Sequence, residues 1–291
     1  MAEHPPSQPP SILTSQHRIG FGGMPLSIQG RPSEEVGRQV LHAAIDAGMT
    51  LIDTADVYCL DDHDIGHNER LIASALRERG DRAEVRVATK AGLRRPRGAW
   101  TNDGAPKHIR EACEASLRAL ETDQIWLYQF HAPDPRVPFE KSVEAFAELQ
   151  REGKCLHVGL SNVSVAEIDA ASRIVEVKSV QNRLNPYFRE SLDIAAECGR
   201  RGIPFLAYSP VGGGRLAKKL PKFEVLAAIA AAHGRSVHAI VLAWVRSKGP
   251  TVVPIPAART VEHALDSAKA VDLTLTGDEI GQIDAAEFSR A

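Results

Sequence analysis

Short apolar runs alternate with longer stretches of helical spacing along most of this chain. The runs begin near Ile19, Thr50, Val85, Ile125, Leu156, Val177, Ile203 and Thr251, and each is short enough for a buried strand. Between them the apolar positions recur at helical intervals. From Ser33, with Glu34 and Glu35 suited to the positive end of a helix, Val36, Val40, Ala43, Ala44 and Ala47 form one stripe that Gly48 stops. A second helix from Asn68 carries Leu71, Ile72, Ala75 and Leu76 up to Gly80. Further helices are predicted over about 107–120, 139–152, 165–174, 191–200, 239–246 and 261–270. Eight strands, each followed by a helical pattern, predict an α/β fold with a parallel sheet, closed into a (β/α)8 TIM barrel. A doubly wound open sheet is the rival. It calls for GxGxxG after the first strand, and Gly20-Phe21-Gly22-Gly23 lacks the third glycine at the required place.

Length and composition agree with one barrel. Its 291 residues, 43% hydrophobic and 25% charged, suit an ordinary globular domain over residues 16–291, preceded by a disordered lead-in over residues 1–15 that is rich in proline. A net charge of −2 supplies no field toward nucleic acid or an anionic membrane, and no apolar stretch reaches the ~20 residues of a bilayer span. Cys59, Cys113, Cys155 and Cys198 form no CxxC pair, which points to free thiols in a reducing, cytoplasmic setting. No helix pattern indicates an assembly, and a monomer is compatible with the chain.

The chemistry sits at the carboxyl ends of the strands, where barrels build their active sites. Strand two ends in Asp53 with Tyr58 five residues on, strand three ends in Lys90, and strand four ends in His131. Singly, each is an ordinary cap or turn residue. Together, on adjacent strands, they suggest proton-coupled chemistry at a carbonyl. Asp53 and Lys90 would satisfy each other in a dry pocket. The cation would lower the Tyr58 pKa and make the phenol a proton donor near neutral pH, and His131 would orient the carbonyl. In the second half, Ser161, Asn162 and Gln181 suit a carboxamide, and Tyr208 offers a face for a flat ring. The backbone of Gly212-Gly213-Gly214 with Arg215 suits a pyrophosphate, and Arg259 lies near a helix start that suits a phosphate.

In order along the chain, DTADVY, VATKAG, YQFHAPDP, HVGLSN, VQNRLNP, AYSPVGGG and PIPAAR resemble the aldo-keto reductase superfamily over about residues 19–270. The resemblance implies a barrel that binds NADP(H) without a Rossmann domain and an enzyme that interconverts small-molecule carbonyls and alcohols. It implies Tyr58 as the general acid and base, tuned by Lys90 and Asp53, with His131 on the carbonyl. It places the cofactor against Gly23, Met24, Asp53, Ser161, Asn162, Gln181 and Tyr208, under Ser209, Pro210, Val211, Gly212 and Arg215, and against Ile255, Pro256, Ala257 and Arg259. Asp266 and Ser267 replace the acidic residue and asparagine that usually grip the adenine. Ala257 and Ala258 replace a common Lys-Ser pair, leaving Arg259 to hold a 2′-phosphate alone, so NAD(H) is not excluded. Ala132 and a short C-terminus imply an open pocket, with Trp100 and Tyr128 as wall residues.

Three other features have competing readings. The segment Asp61 to His67 mimics a metal site, but an acidic solvated loop is the expectation and no metal is assigned. Arg94-Arg95-Pro96-Arg97 would steer an anionic substrate or form a solvated loop. Lys90 at a barrel strand end would also suit a Schiff-base lyase, and a cofactor-binding redox sensor without turnover is the third alternative.

Overall fold

A computed structural model describes residues 11–14, 17–80 and 82–290. Eight strands line up in parallel and in chain order: β1 (Phe21–Gly22), β2 (Leu51–Asp53), β3 (Arg86–Ala91), β4 (Ile125–Phe130), β5 (Cys155–Ser161), β6 (Val177–Arg183), β7 (Phe205–Tyr208) and β8 (Val252–Ile255). The amides of Gly20 and Gly22 donate to the carbonyls of Pro254 and Pro256, at 3.0 and 2.8 Å, joining the first strand to the last. The barrel therefore closes without a free edge.

Helices α1 (Glu34–Asp46), α2 (His67–Arg79), α3 (Pro106–Ala119), α4 (Phe139–Arg151), α5 (Val165–Ser172) and α6 (Leu192–Arg201) fill the crossovers after β1 to β6. After β7 come α7 (Gly214–Ala217), α8 (Glu224–His233) and α9 (Val237–Arg246), and after β8 come α10 (Val261–Ala268) and α11 (Gly277–Ala285). The local signals behave as their chemistry dictates. The Ser33 hydroxyl accepts from the Val36 amide, and Ser164 with Glu167 closes a reciprocal capping box at α5. The predicted helix over 261–270 ends at Ala268 and continues as a 3₁₀ turn. Helices α7, α8 and α11, and an antiparallel hairpin of Leu93–Arg94 with Thr101–Asn102, were not predicted.

Strand alternation divides the core. Leu51, Ala88, Leu127, Leu206, Val253 and Ile255 point into the barrel, while Tyr128, Phe130, Phe146, Phe205 and Trp244 fill the layer between sheet and helices. Tyr128 is consequently no wall of the pocket. It lies between inward-facing Leu127 and Gln129 and so points outward, where its ring packs on Phe146 and its hydroxyl donates to the Ile109 carbonyl. Within the expected lead-in, Ile12 and Leu13 pack on the inner barrel cluster, while residues 1–10 and 15 lie outside the described residues. All four cysteines are free and buried. Among the described residues, no single helix is long and apolar enough to cross a membrane.

Candidate active site

The inward positions at the carboxyl ends of β2, β3 and β4 converge. Lys90 is fully buried, and its Nζ donates to Asp53 Oδ2 at 2.7 Å, to the Thr54 carbonyl at 2.8 Å and to the Tyr58 hydroxyl at 3.0 Å. His131 stands edge-on to the Tyr58 ring, with centroids 5.8 Å apart. The four residues selected from separate motifs thus form one cluster, because successive strands of a parallel barrel present their ends side by side.

Asp53 is gripped from below. Gln181 Nε2 donates to its Oδ1 at 2.7 Å, and Gln129 Nε2 approaches the same oxygen at 3.5 Å. Gln129 in turn accepts from Ser179 Oγ, opposite Gly159 on β5. Gln129 and Ser179 were missed in the sequence, yet a signal was present: Leu127, Gln129 and His131 share the inward face of β4, so an amide two residues before the histidine had to enter the barrel.

Burial sets the protonation states. It lowers the Lys90 pKa, while the Asp53 carboxylate opposes that shift. The Tyr58 hydroxyl moves well above its ordinary value through burial first and the Asp53 charge second, contrary to the lowering expected from a neighbouring cation. Desolvation outweighs the ammonium, so the phenol holds its proton. Burial, with a smaller contribution from Lys90, pushes the His131 pKa far below the usual histidine range and keeps the imidazole neutral. Its Nδ1 is buried without a hydrogen-bond partner.

The second half of the barrel is placed as follows. Ser161 and Gln181 face inward next to Asp53; the Gln181 backbone carbonyl accepts from the Asn162 amide, while its side-chain Oε1 makes no hydrogen bond among the described residues. Asn162, at φ +57°, donates to the His131 carbonyl and to Ser161 Oγ and accepts from the Tyr208 hydroxyl at 2.8 Å, so it ties three strand ends together. Gly23 donates to the Asp53 carbonyl, and Met24 packs beside Tyr58. Ser209 begins a turn closed by the Gly212 amide, Pro210 is buried, and Val211 packs beneath. Gly213 and Gly214, at φ +65° and +41°, leave the backbone open: a Cβ on the first would meet only Ser209 Oγ, at 3.9 Å, and on the second nothing within 4 Å. Arg215 donates to the Arg290 carbonyl. The Pro256 carbonyl closes the barrel beside Ile255, Ala257 is exposed, and Arg259 is held over the β1–α1 loop by the carbonyls of Pro25 and Gln29. Asp266 accepts from Ser236 and lies with half-buried Ser267 on α10.

Outside this arc, the Asp61–His67 segment spends two of its polar groups on the loop between β1 and α1. Asp64 pairs with Arg31, and His67 Nδ1 lies 2.8 Å from Ser27 Oγ. Among the described residues no group of three acidic, histidine or cysteine side chains is arranged for a metal. A cavity of about 290 Å³, lined by Glu176, Lys178 and Arg201, opens at the opposite end of the barrel and contains none of the site residues.

The comparisons agree with this geometry. The model of the aldo/keto reductase family matches residues 18–287. This chain belongs to the aldo/keto reductase family. An uncharacterized oxidoreductase of Schizosaccharomyces pombe is 32% identical over 273 residues, covering 92% of this chain and 86% of that protein. The aldo/keto reductase of Klebsiella pneumoniae, solved with NADP and acetate, is 29% identical with a TM-score of 0.78, covering 92% of this chain and 90% of that one. The glycerol dehydrogenase of Gluconobacter oxydans is 27% identical with a TM-score of 0.80 and the same coverage. Family and closed barrel are therefore those expected from the motifs, and the open-sheet rival is excluded.

The donor set fits a nicotinamide dinucleotide. Gln181 keeps its side-chain Oε1 for an amide donor, the Gly213–Gly214 backbone is bare where a phosphate would approach, and Arg259 presents an exposed guanidinium.

Proposed function

We propose that this aldo/keto reductase family member reduces an aldehyde or ketone to the alcohol, reversibly, with Tyr58 as the proton donor and NADP(H) as the cofactor. When bound, the cofactor supplies or accepts the hydride. Ser161 and Gln181 would hold its carboxamide, Tyr208 would face the ring, the Ser209–Arg215 segment would cover the pyrophosphate and Arg259 would hold the 2′-phosphate. The observation that carries the reading is the Lys90 ammonium bonded at once to Asp53 and to the Tyr58 hydroxyl.

That arrangement keeps Tyr58 protonated until charge develops on the substrate oxygen. As the phenol gives up its proton, the ammonium at 3.0 Å stabilises the phenolate left behind. Neutral His131 adds a hydrogen bond to the same oxygen through Nε2, since Nδ1 is enclosed. The full burial of Lys90 and its three acceptors argue against the Schiff-base alternative, which needs a free amine facing the carbonyl. Titration with NADPH and NADH, followed by quenching of tryptophan fluorescence, tests the cofactor. Loss of NADPH absorbance with simple aldehydes tests turnover. Binding without turnover would favour the redox-sensor reading, and no binding of either nucleotide would sink both.

A further inference from the structure

The basic run expected as a solvated loop holds a buried cation. The Arg95 side chain is 1% exposed, and among the described residues no carboxylate pairs with it. Its guanidinium instead donates to the carbonyls of Cys59, Leu60 and Gly98 and to Gln29 Oε1, and its Nε is buried without a partner. Burying a guanidinium on neutral acceptors is costly, so its placement needs a reason. The guanidinium also stacks on Trp100, whose ring centroid lies 3.9 Å from Cζ. Gln29 also donates to the Leu60 carbonyl, and a Cβ on Gly98 would come within 3.1 Å of that carbonyl, so this segment is tied tightly to the loop carrying Tyr58.

Trp100 is 46% exposed although it is a large apolar side chain, and it stands edge-on to the Tyr58 ring at 6.3 Å. One face of the indole is thus occupied by a fixed cation, while the rest of the ring borders the residue that would donate the proton. Ala132 and Met24 pack against the small apolar cluster that contains the same tyrosine.

We propose that Arg95 is a positioning residue that holds Trp100 as a fixed wall of the substrate site, and that this wall selects carbonyl compounds carrying a ring next to the reacting group. The substrate ring stacks on the indole while its carbonyl oxygen points to Tyr58 and His131. A preordered indole spares the ordering cost that a mobile loop would impose on each binding event. This inference rests on the carbonyl-reductase reading and names its substrate class.

The test compares 4-nitrobenzaldehyde with propanal, using NADPH, in wild type, Trp100→Ala, Trp100→Phe and Arg95→Gln. Trp100→Ala should raise KM for the aryl aldehyde about tenfold, the factor expected from one lost aromatic contact, and shift KM for propanal much less, so that the aryl preference in kcat/KM falls. Trp100→Phe should restore most of the loss. Arg95→Gln should reproduce the selective rise without contacting the substrate; if it fails to fold, the two Trp100 variants still decide the wall. Calorimetric binding of 4-nitrobenzyl alcohol and of propanol to the same proteins separates the two readings. Selective weakening of the aryl alcohol in a protein that reduces neither aldehyde would support the wall and overturn the reductase reading. Turnover of both aldehydes, with equal losses or none on substitution, would overturn the wall alone.

Discussion

Replacing Lys90 by Met removes the ammonium while keeping most of its stem. At the observed 3.0 Å separation from the Tyr58 oxygen, with an effective dielectric constant of about 20, the ammonium favours the phenolate by ~5 kcal/mol. Asp53, 2.7 Å away on the other side, offsets part of that, so the loss in kcat/KM should fall within ~10²–10⁴-fold, the range of general acid catalysis. Affinity for NADPH should change little, because Lys90 spends its donors on Asp53, Thr54 and Tyr58. The substitution also leaves Asp53 buried without its counter-ion, a defect of about 3–5 kcal/mol that the Gln181 and Gln129 amides temper, so a thermal melt must accompany the kinetics. The decisive assay is a cycle with Tyr58→Phe. If Lys90 acts through the phenol, the double variant should be no slower than Tyr58→Phe alone. Losses that multiply, or a Lys90→Met rate close to wild type, would refute the reasoning.

Tyr58→Phe by itself should lower the reduction rate at least ~100-fold with NADPH binding preserved, measured by steady-state kinetics and fluorescence titration. Arg259→Ala should weaken NADPH by ~10–100-fold, the loss of a charge-assisted contact, and leave NADH unaffected; an equal effect on both nucleotides would remove Arg259 from the 2′-phosphate. Gly159→Ala would place a Cβ 2.2 Å from Ser179 Oγ and 3.0 Å from Gln129 Cγ, and should cost about 1–3 kcal/mol in urea denaturation. Asp56 is buried near Glu69, and burial first and that neighbouring carboxylate second raise its pKa well above the usual range. A carboxyl that binds its proton more tightly folded than unfolded lowers stability progressively as pH rises above the unfolded value of about 3.9. Asp56→Asn, whose amide oxygen can still accept from the Val57 amide, should therefore gain melting temperature over wild type between about pH 5 and about pH 8; a gain that shrinks with rising pH would contradict the assignment.

The architecture was legible because its signals are local and repeated. Each barrel strand is a short apolar run, each crossover helix has its own apolar stripe, and eight repeats in one order leave little choice of topology. Asp53, Tyr58, Lys90 and His131 could be picked out for the same reason, since parallel strands of one barrel end on one face. Helices α8 and α11 escaped because they follow no strand and interrupt the alternation on which the reading relied.

What the chain by itself determined is therefore which side chains reach the mouth of the barrel. What they do there was decided by the tertiary structure. Proximity of Lys90 to Tyr58 suggested a lowered phenol pKa, yet the enclosure built by distant segments excludes water and raises it. Arg95 looked like one of several solvated arginines until carbonyls from residues 59, 60 and 98 and the amide of Gln29 closed around it. Residue type and spacing set what a group can donate or accept; desolvation and the partners brought by remote parts of the chain set its charge state, and those exist only once the barrel has closed.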